Sequence, residues 1–138
     1  MFRLRHTNRV SKGEVAALLL RISSADQVAF ASLHARLRPR LLDRLAAVPL
    51  EPADVLAVAN ATFVEVWWLA SRWPGRETDA VAWVFAIAAR RGAERRSARR
   101  AHSTEGAEPD DIFTSLDRQV GMELDVLLAQ PPSAGQAG

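Results

Sequence analysis

The chain has 138 residues, 49% apolar and 25% charged, so it is long and apolar enough to bury a core as one domain. This balance argues against a disordered chain, and no apolar run approaches the about 20 residues that a bilayer-spanning helix requires. The absence of cysteine excludes zinc ribbons, iron–sulfur clusters, thiol catalysis and disulfide scaffolds. The N-terminal residues lack the apolar stretch of a secretory signal, so we expect a cytoplasmic protein without a membrane partner.

The net charge of +2 conceals a basic part and an acidic part. Residues 1–100 carry 17 of the 18 basic side chains and nine acids, whereas residues 101–138 carry one arginine and seven acids. The two parts therefore suit different partners, or each other.

The composition predicts helix nearly throughout, because tyrosine is absent and no alternating strand pattern persists. Residues 1–24 form a basic leader and a short apolar helix over 14–22, and the capping-box spacing that follows makes Ser24 the predicted N-cap. Apolar residues at steps of three and four then predict a helix to about residue 48, kinked at Pro39. Its apolar stripe consists of Phe30, Leu33, Leu37, Leu41, Leu45 and Val48.

Two more helices complete a predicted domain over residues 25–101, an all-α, compact bundle of three to four helices. The first spans 54–73, and its apolar face consists of Val55, Ala59, Thr62, Phe63, Val66 and Trp73. The second runs from Asp79 to about Ala101, with Thr78 as its predicted N-cap. Residues 102–138 are expected to be an acidic linker, a weak helix over 109–130 and a disordered tail. The apolar side of that weak helix consists of Ile112, Leu116, Val120, Leu124 and Leu127.

The helix over 79–101 changes character along one face. Its first half carries a core-facing stripe of Val81, Val84, Phe85 and Ala88. In its second half the same side carries Gly92, Arg91, Arg95 and Arg99, and a second ridge beside it carries Arg96 and Arg100. Because an unpaired guanidinium in a core is very costly, we expect these turns to project from the body or to lie on its surface, with their arginines offered outward. Six arginines within eleven residues, offset by Glu94 alone, predict an anionic partner such as a nucleic-acid backbone.

Other interpretations of these residues stay open. The arginines could instead form a solvated face that meets the acidic C-terminal segment of the same chain. Trp83 lies about 140° from the centre of the apolar stripe at 100° per residue, which fits either a stacking platform for single-stranded nucleic acid or a half-buried helix junction. Trp67 and Trp68 are consecutive and cannot both face inward, so one of them is expected to contact a neighbouring helix or a partner.

Residues 82–91, Ala-Trp-Val-Phe-Ala-Ile-Ala-Ala-Arg-Arg, together with Glu94-Arg95-Arg96, resemble a signature in region 2 of extracytoplasmic-function sigma factors. That signature reads Trp-Leu-Phe-x-Ile-Ala-Arg-Asn-Arg-x-x-Asp-x-x-Arg. Residues 63–67 are similar to the Phe-Leu-x-Val-Trp box of the family, and residues 29–41 to its first helix. The likeness covers residues 25–100 in the correct order. It implies a sigma region 2 domain that binds the RNA polymerase core and the promoter −10 element and aids strand opening.

The resemblance also implies roles for individual residues. Residues that dock on the clamp helices of the polymerase β′ subunit would be Asn60, Phe63, Glu65, Trp67 and Trp68. The loop over 73–78, which contains Arg76, would capture a flipped base of the −10 element. The surface that holds the separated strands and the upstream backbone would consist of Trp83, Arg90, Arg91, Arg95, Arg96, Arg99 and Arg100.

The chain departs from the family at several positions. Ala57, Asn60 and Ala61 stand where the family has an acid, a glutamine and an acid that contact polymerase, and Ala89-Arg90 stands in place of Arg-Asn. Region 4, the helix-turn-helix that reads the −35 element, is absent from these 138 residues. An alternative function is therefore a sigma-derived interaction module that binds an anti-sigma-like or other regulatory protein without initiating transcription.

No pattern in the sequence favours catalysis. His6, His34 and His102 are far apart and have no second ligand at helical spacing, and the glycines form no phosphate-binding loop. We therefore expect no enzymatic activity, no metal, no cofactor and no small-molecule substrate.

Overall fold

A computed structural model describes residues 12–75, 79–105 and 109–129, with backbone alone for 103–105 and 109–112. Every regular element in these ranges is helical, which confirms the all-α prediction. Five helices pack together, because the short helix predicted before residue 25 and the weak helix predicted after residue 108 join the three of the predicted bundle. They are α1 (Lys12–Ile22), α2 (Gln27–Ala46), α3 (Pro52–Leu69), α4 (Ala80–Glu105) and α5 (Pro109–Leu128), and a 3-10 turn (Ala70–Arg72) extends α3. The predictions for the basic leader, the C-terminal tail, Arg76, Thr78 and the Ile112 side chain lie outside this description.

The start of α2 is fixed by Asp26, so the prediction of Ser24 as the N-cap is wrong by two residues. Asp26 Oδ1 accepts a hydrogen bond of 3.0 Å from the backbone N–H of Ala29, and Arg21 Nε donates to Asp26 Oδ2 at 3.1 Å. The Ala29 hydrogen bond and then the Arg21 contact hold the pKa of Asp26 below its ordinary value. The chain enters the cap through Ala25, whose φ of 65° lies in the left-handed region.

An aspartate also caps α4. Asp79 Oδ1 accepts hydrogen bonds from the backbone N–H groups of Val81 (2.9 Å) and Ala82 (3.2 Å), and Lys12 Nζ lies 3.0 Å from Asp79 Oδ2. These contacts hold the pKa of Asp79 below its ordinary value, with the backbone hydrogen bond from Ala82 as the largest cause. Because Lys12 belongs to α1, the contact also links the first helix to the start of α4.

The apolar stripes predicted for α2, α3 and α4 form the core. The α2 residues of the stripe are at most 1% exposed, and α2 continues through Pro39 as one helix; only Val48, beyond its end, is half-buried. In α3 the predicted face is buried except for Val55, which is half-buried, and the four predicted α4 residues are all buried. Periodicity therefore located the inward faces correctly.

Helix α3 is the centre of the bundle, because it packs against α2, α4 and α5. Helix α1 lies on α2, α4 and the 3-10 turn. By length and composition the segment Pro52–Arg72 is also apolar enough to cross a membrane, which the sequence analysis did not expect. Half of its most apolar window is buried in the bundle.

Helix α5 confirms the helix predicted over residues 109–130, although its buried face differs from the predicted one. It has 20 residues and packs along α3 and α2, with Leu124 and Leu127 buried in the common core. Phe113, which the sequence analysis overlooked, is buried, whereas Leu116, predicted on the apolar side, is 53% exposed. The buried face is therefore rotated from the predicted one at the start of the helix, by about the 100° that separates adjacent residues.

Candidate nucleic-acid interface

The arginine-rich half of α4 is anchored on Asp54, in the first turn of α3. Asp54 is 1% exposed and accepts three hydrogen bonds from two arginines. Arg99 donates through Nε (3.0 Å) and Nη2 (2.8 Å), and Arg95 donates through Nη1 (2.8 Å). A planar guanidinium matches both carboxylate oxygens, so Arg99 binds Asp54 as a fork. One buried carboxylate thus holds two arginines one helical turn apart.

Helix α5 completes this cluster from the other side. Arg95 also donates to both carboxylate oxygens of Asp117, and its side chain is only 14% exposed. The guanidinium carbons of Arg95 and Arg99 lie 4.8 and 4.2 Å from the centroid of the Phe113 ring. His102 meets that ring edge-on at 5.4 Å. The Phe113 ring of α5 therefore covers Arg95 and Arg99, and the Asp117 carboxylate covers Arg95.

The first two arginines of the series have a different carboxylate partner. Arg90 Nη2 and Arg91 Nε both donate to Glu65 of α3, whose side chain is 12% exposed. Arg90 also makes a long contact of 3.5 Å with Glu94, one turn further along α4. Glu65 was predicted to contact polymerase, but in the structure its carboxylate forms ion pairs with two arginines of its own chain.

The expectation that these arginines project outward is therefore wrong for four of the six. Arg90, Arg91, Arg95 and Arg99 pair with carboxylates of the same chain, and α4 is held against the body by α3 and α5. The physical reason is that Asp54, Glu65 and Asp117 neutralise the charges that the sequence analysis regarded as unpaired. Among the side chains that the structure describes, the contact of Arg95 with Asp117 agrees with the interpretation that joined the arginines to the acidic C-terminal segment.

The electrostatics of the cluster favour the charged forms of its members. Burial alone would raise the pKa of Asp54, but hydrogen bonds and charge from Arg99 and Arg95 outweigh it and leave the pKa below its ordinary value. Burial would likewise lower the pKa of Arg95, and contacts with Asp117 and Asp54 raise it above its ordinary value. The cluster therefore stays ionised at neutral pH.

A second set of arginines lies across α2 and α4. The guanidinium carbons of Arg40 and Arg44 lie 5.7 and 4.7 Å from the centroid of the Phe85 ring. Phe85 and Arg96 share one side of α4, separated by eleven residues or about 16 Å along the helix. Within the described residues, Arg40, Arg44 and Arg96 form no ion pair with a carboxylate within 4 Å. We call these three residues the α2–α4 arginine surface.

An open cavity of about 320 Å³ lies at the Arg96 end of this surface. It forms where the turn between α2 and α3 faces α4. Gly92 is buried there, and a Cβ at this position would make ordinary van der Waals contacts with Leu45 (3.7 Å) and Leu50 (3.8 Å). The lining residues are Pro49, Leu50, Glu51, Asp54, Arg96, Arg99 and Arg100. The cavity therefore offers guanidinium groups beside two carboxylates, one of which is already neutralised by Arg95 and Arg99.

The remaining predicted site residues are scattered. Trp83 is half-buried and packs against the core, as one of its two interpretations predicted. Phe63 is completely buried against the His34 ring at 4.7 Å, and so has no surface to give a partner. Asn60 is half-buried.

The two consecutive tryptophans divide as the sequence predicted. Trp67 is half-buried and meets the Phe30 ring edge-on at 5.4 Å, whereas Trp68 is 63% exposed. The indole N–H of Trp68 donates to Glu123 of α5 at 2.7 Å. Among the residues predicted to bind polymerase or a partner, Trp68 is thus the one whose side chain is mostly exposed to solvent.

Two features of the interface were missed by sequence analysis. Asp54 shares its helical spacing with the buried Val58 and Thr62, at steps of four, which indicates an inward carboxylate that needs a cation. Arg40 and Arg44 are also four apart, on the flank of the α2 stripe, but no signal in the sequence shows that Phe85 lies beneath them.

Comparison of the chain with models of protein families, with curated proteins and with solved structures gave no match. The sigma-factor resemblance therefore remains a prediction from sequence motifs. In the parts of the chain that the structure describes, no three His, Asp or Glu side chains are grouped as ligands for a metal ion.

Proposed function

We propose that this chain is a nucleic-acid-binding domain of the sigma region 2 type, which acts in transcription initiation with RNA polymerase and the single-stranded −10 region of a promoter. The observation that carries the proposal is the α2–α4 arginine surface. Within the described residues, its guanidinium groups form no ion pair with a carboxylate. Cationic groups that share one face are suited to a phosphate backbone.

The dimensions of this surface fit a backbone and not a single ion. About 16 Å separates the Phe85 end from the Arg96 end, a distance that several consecutive phosphates cover. Asp43 lies between Arg40 and Arg44 in sequence, but it is exposed and pairs with neither. The polymerase part of the proposal rests on the resemblance of residues 63–67 to the family box, for which Trp68 offers the exposed contact surface.

The proposal is tested by fluorescence anisotropy of the full chain with a labelled single-stranded oligonucleotide of −10 type and with its duplex. We expect tighter binding of the single strand, and retention of a polymerase β′ clamp-helix fragment by the immobilised chain. Failure to bind either oligonucleotide at about 50 mM salt, where phosphate contacts are strong, would overturn the proposal.

A second candidate function is the sigma-derived interaction module, and the exposure of Trp68 favours it. An indole that is 63% exposed while its N–H is already bonded to Glu123 offers an apolar surface, and tryptophan is enriched among residues that dominate protein interfaces. This function predicts that neither nucleic acid nor the clamp fragment binds. It also predicts a protein partner whose retention is lost in Trp68→Ala and kept in Trp83→Ala.

A further inference from the structure

Helix α5 occupies the groups on α4 that an anionic ligand would use. Asp117 takes donors from both Nη1 and Nη2 of Arg95, and the Phe113 ring lies against the guanidinium groups of Arg95 and Arg99. A phosphate accepts from guanidinium donors in the same forked geometry, and a nucleobase stacks on the same guanidinium face. A carboxylate and an aromatic ring of the chain itself therefore stand where a phosphate and a base would bind.

Charge supports this comparison. Residues 109–129 contain five carboxylates and one arginine, whereas α4 between residues 90 and 100 contains six arginines and one glutamate. The acidic helix thus faces the most basic stretch of the chain. Such complementarity is typical of a segment that competes with nucleic acid.

Helix α5 also packs along α3 and α2, and its buried core residues after Phe113 and its other hydrogen bonds lie in its second half. Gln27 Nε2 donates to the carbonyl of Leu127 at 3.1 Å, Trp68 donates to Glu123, and Leu124 and Leu127 enter the core. None of these contacts involves the arginines. The Phe113–Asp117 end of α5 can therefore leave Arg95 and Arg99 without dissolving the arginine cluster, because Asp54 still holds both of them.

We propose that α5 is an internal competitor of nucleic acid: the Asp117 carboxylate and the Phe113 ring bind Arg95 and Arg99 until a single strand displaces them. The inference rests on the proposed function, since it concerns the regulation of the same basic surface. Displacement exposes the Nη2 donor of Arg95, which Asp54 does not bind, and the guanidinium face of Arg99, which lines the cavity beside Arg96. The apparent association constant for the single strand is then the intrinsic constant multiplied by the fraction of chains in which α5 has left Arg95 and Arg99.

The test uses Asp117→Asn and Asp125→Asn in the full chain with a labelled single-stranded 20-mer. Both variants remove one negative charge from α5, but Asp125 is exposed and makes no ion pair with the described arginines. We expect Asp117→Asn to bind about tenfold more tightly than wild type, the effect of losing one charge-assisted contact that closes α5. Asp125→Asn should change the affinity by less than about twofold, as screening of a distant charge predicts.

Hydrogen–deuterium exchange of the wild-type chain gives a second measurement that does not depend on either variant. Saturation with the 20-mer should increase amide exchange in residues 109–120 and leave α2 and α3 protected. Equal affinities of the two variants, or unchanged exchange in α5, would overturn this inference and leave the proposed function standing. If no form of the chain binds the 20-mer, the proposed function and the inference both fail.

Discussion

Arg95 and Asp54 lie 41 residues apart in the chain and are joined by a hydrogen bond of 2.8 Å from Arg95 Nη1 to Asp54 Oδ1. Asp54 is almost completely buried, and Arg99 binds the same carboxylate. The pairing makes the second half of α4 a part of the bundle. The arginines that keep surface for a ligand are consequently those at the edge of α4 and on α2, namely Arg40, Arg44 and Arg96.

We predict that Asp54→Ala destabilises the protein by roughly 3–5 kcal/mol, because it leaves two partly buried guanidinium groups without their shared carboxylate. The measurement is the free energy of unfolding from urea titration monitored by circular dichroism. Asp43→Ala is the control, since Asp43 is exposed and should change stability by less than about 0.5 kcal/mol. Equal effects of the two substitutions would show that Asp54 is not a structural anchor.

A different prediction concerns His34, whose Nε2 is buried without a hydrogen-bond partner beside Phe63. Burial, and then the charge of Arg38, lowers the pKa of His34 below its ordinary value of 6.5. The unfolded chain therefore takes up this proton at a higher pH than the folded chain, and stability falls as the pH drops below about 6.5.

The measurement for His34 compares urea unfolding of wild type and His34→Leu at pH 7.5 and pH 5. Wild type should lose more stability than the variant over this interval, because the variant lacks the titrating group while the other histidines titrate in both proteins. An identical loss in the two proteins would mean that His34 is protonated as easily in the folded chain as in the unfolded one.

The buried faces of α2, α3 and α4 could be predicted from the sequence because apolar spacing reports burial directly. The stripe from Phe30 to Leu45 and the stripe from Val81 to Ala88 are both buried. Spacing does not report which polar groups meet across the core. The sequence analysis assigned the arginines of α4 to solvent because a buried, unpaired guanidinium is costly. That assignment failed because Asp54 of α3 pairs with two of these arginines.

The interface could be predicted only in part for the same reason. Arg96, which the sequence analysis named, lines the cavity. Arg40 and Arg44 were missed, because they belong to the basic surface only through the packing of α2 on Phe85, and no local sequence pattern predicts that packing. For α5 the sequence indicated only a weak helix over residues 109–130. The structure instead uses Asp117 on the inner side of a docked helix, where Arg95 neutralises it.

The most direct test of the account is the salt dependence of single-strand binding by two double variants of the full chain. Arg40→Gln with Arg44→Gln removes two charges from the α2–α4 arginine surface. Arg21→Gln with Arg36→Gln removes two charges that already pair with Asp26 and Glu14. Anisotropy titrations between about 50 and 200 mM salt give the slope of log Kd against log salt concentration, which counts phosphate contacts.

We predict that the first double variant binds more weakly than wild type and that its slope decreases by about 1.4, the value for two lost contacts to a single strand. The second double variant should keep the wild-type slope. If both pairs change the slope equally, or neither changes it, the α2–α4 arginine surface does not bind nucleic acid and the central claim is contradicted.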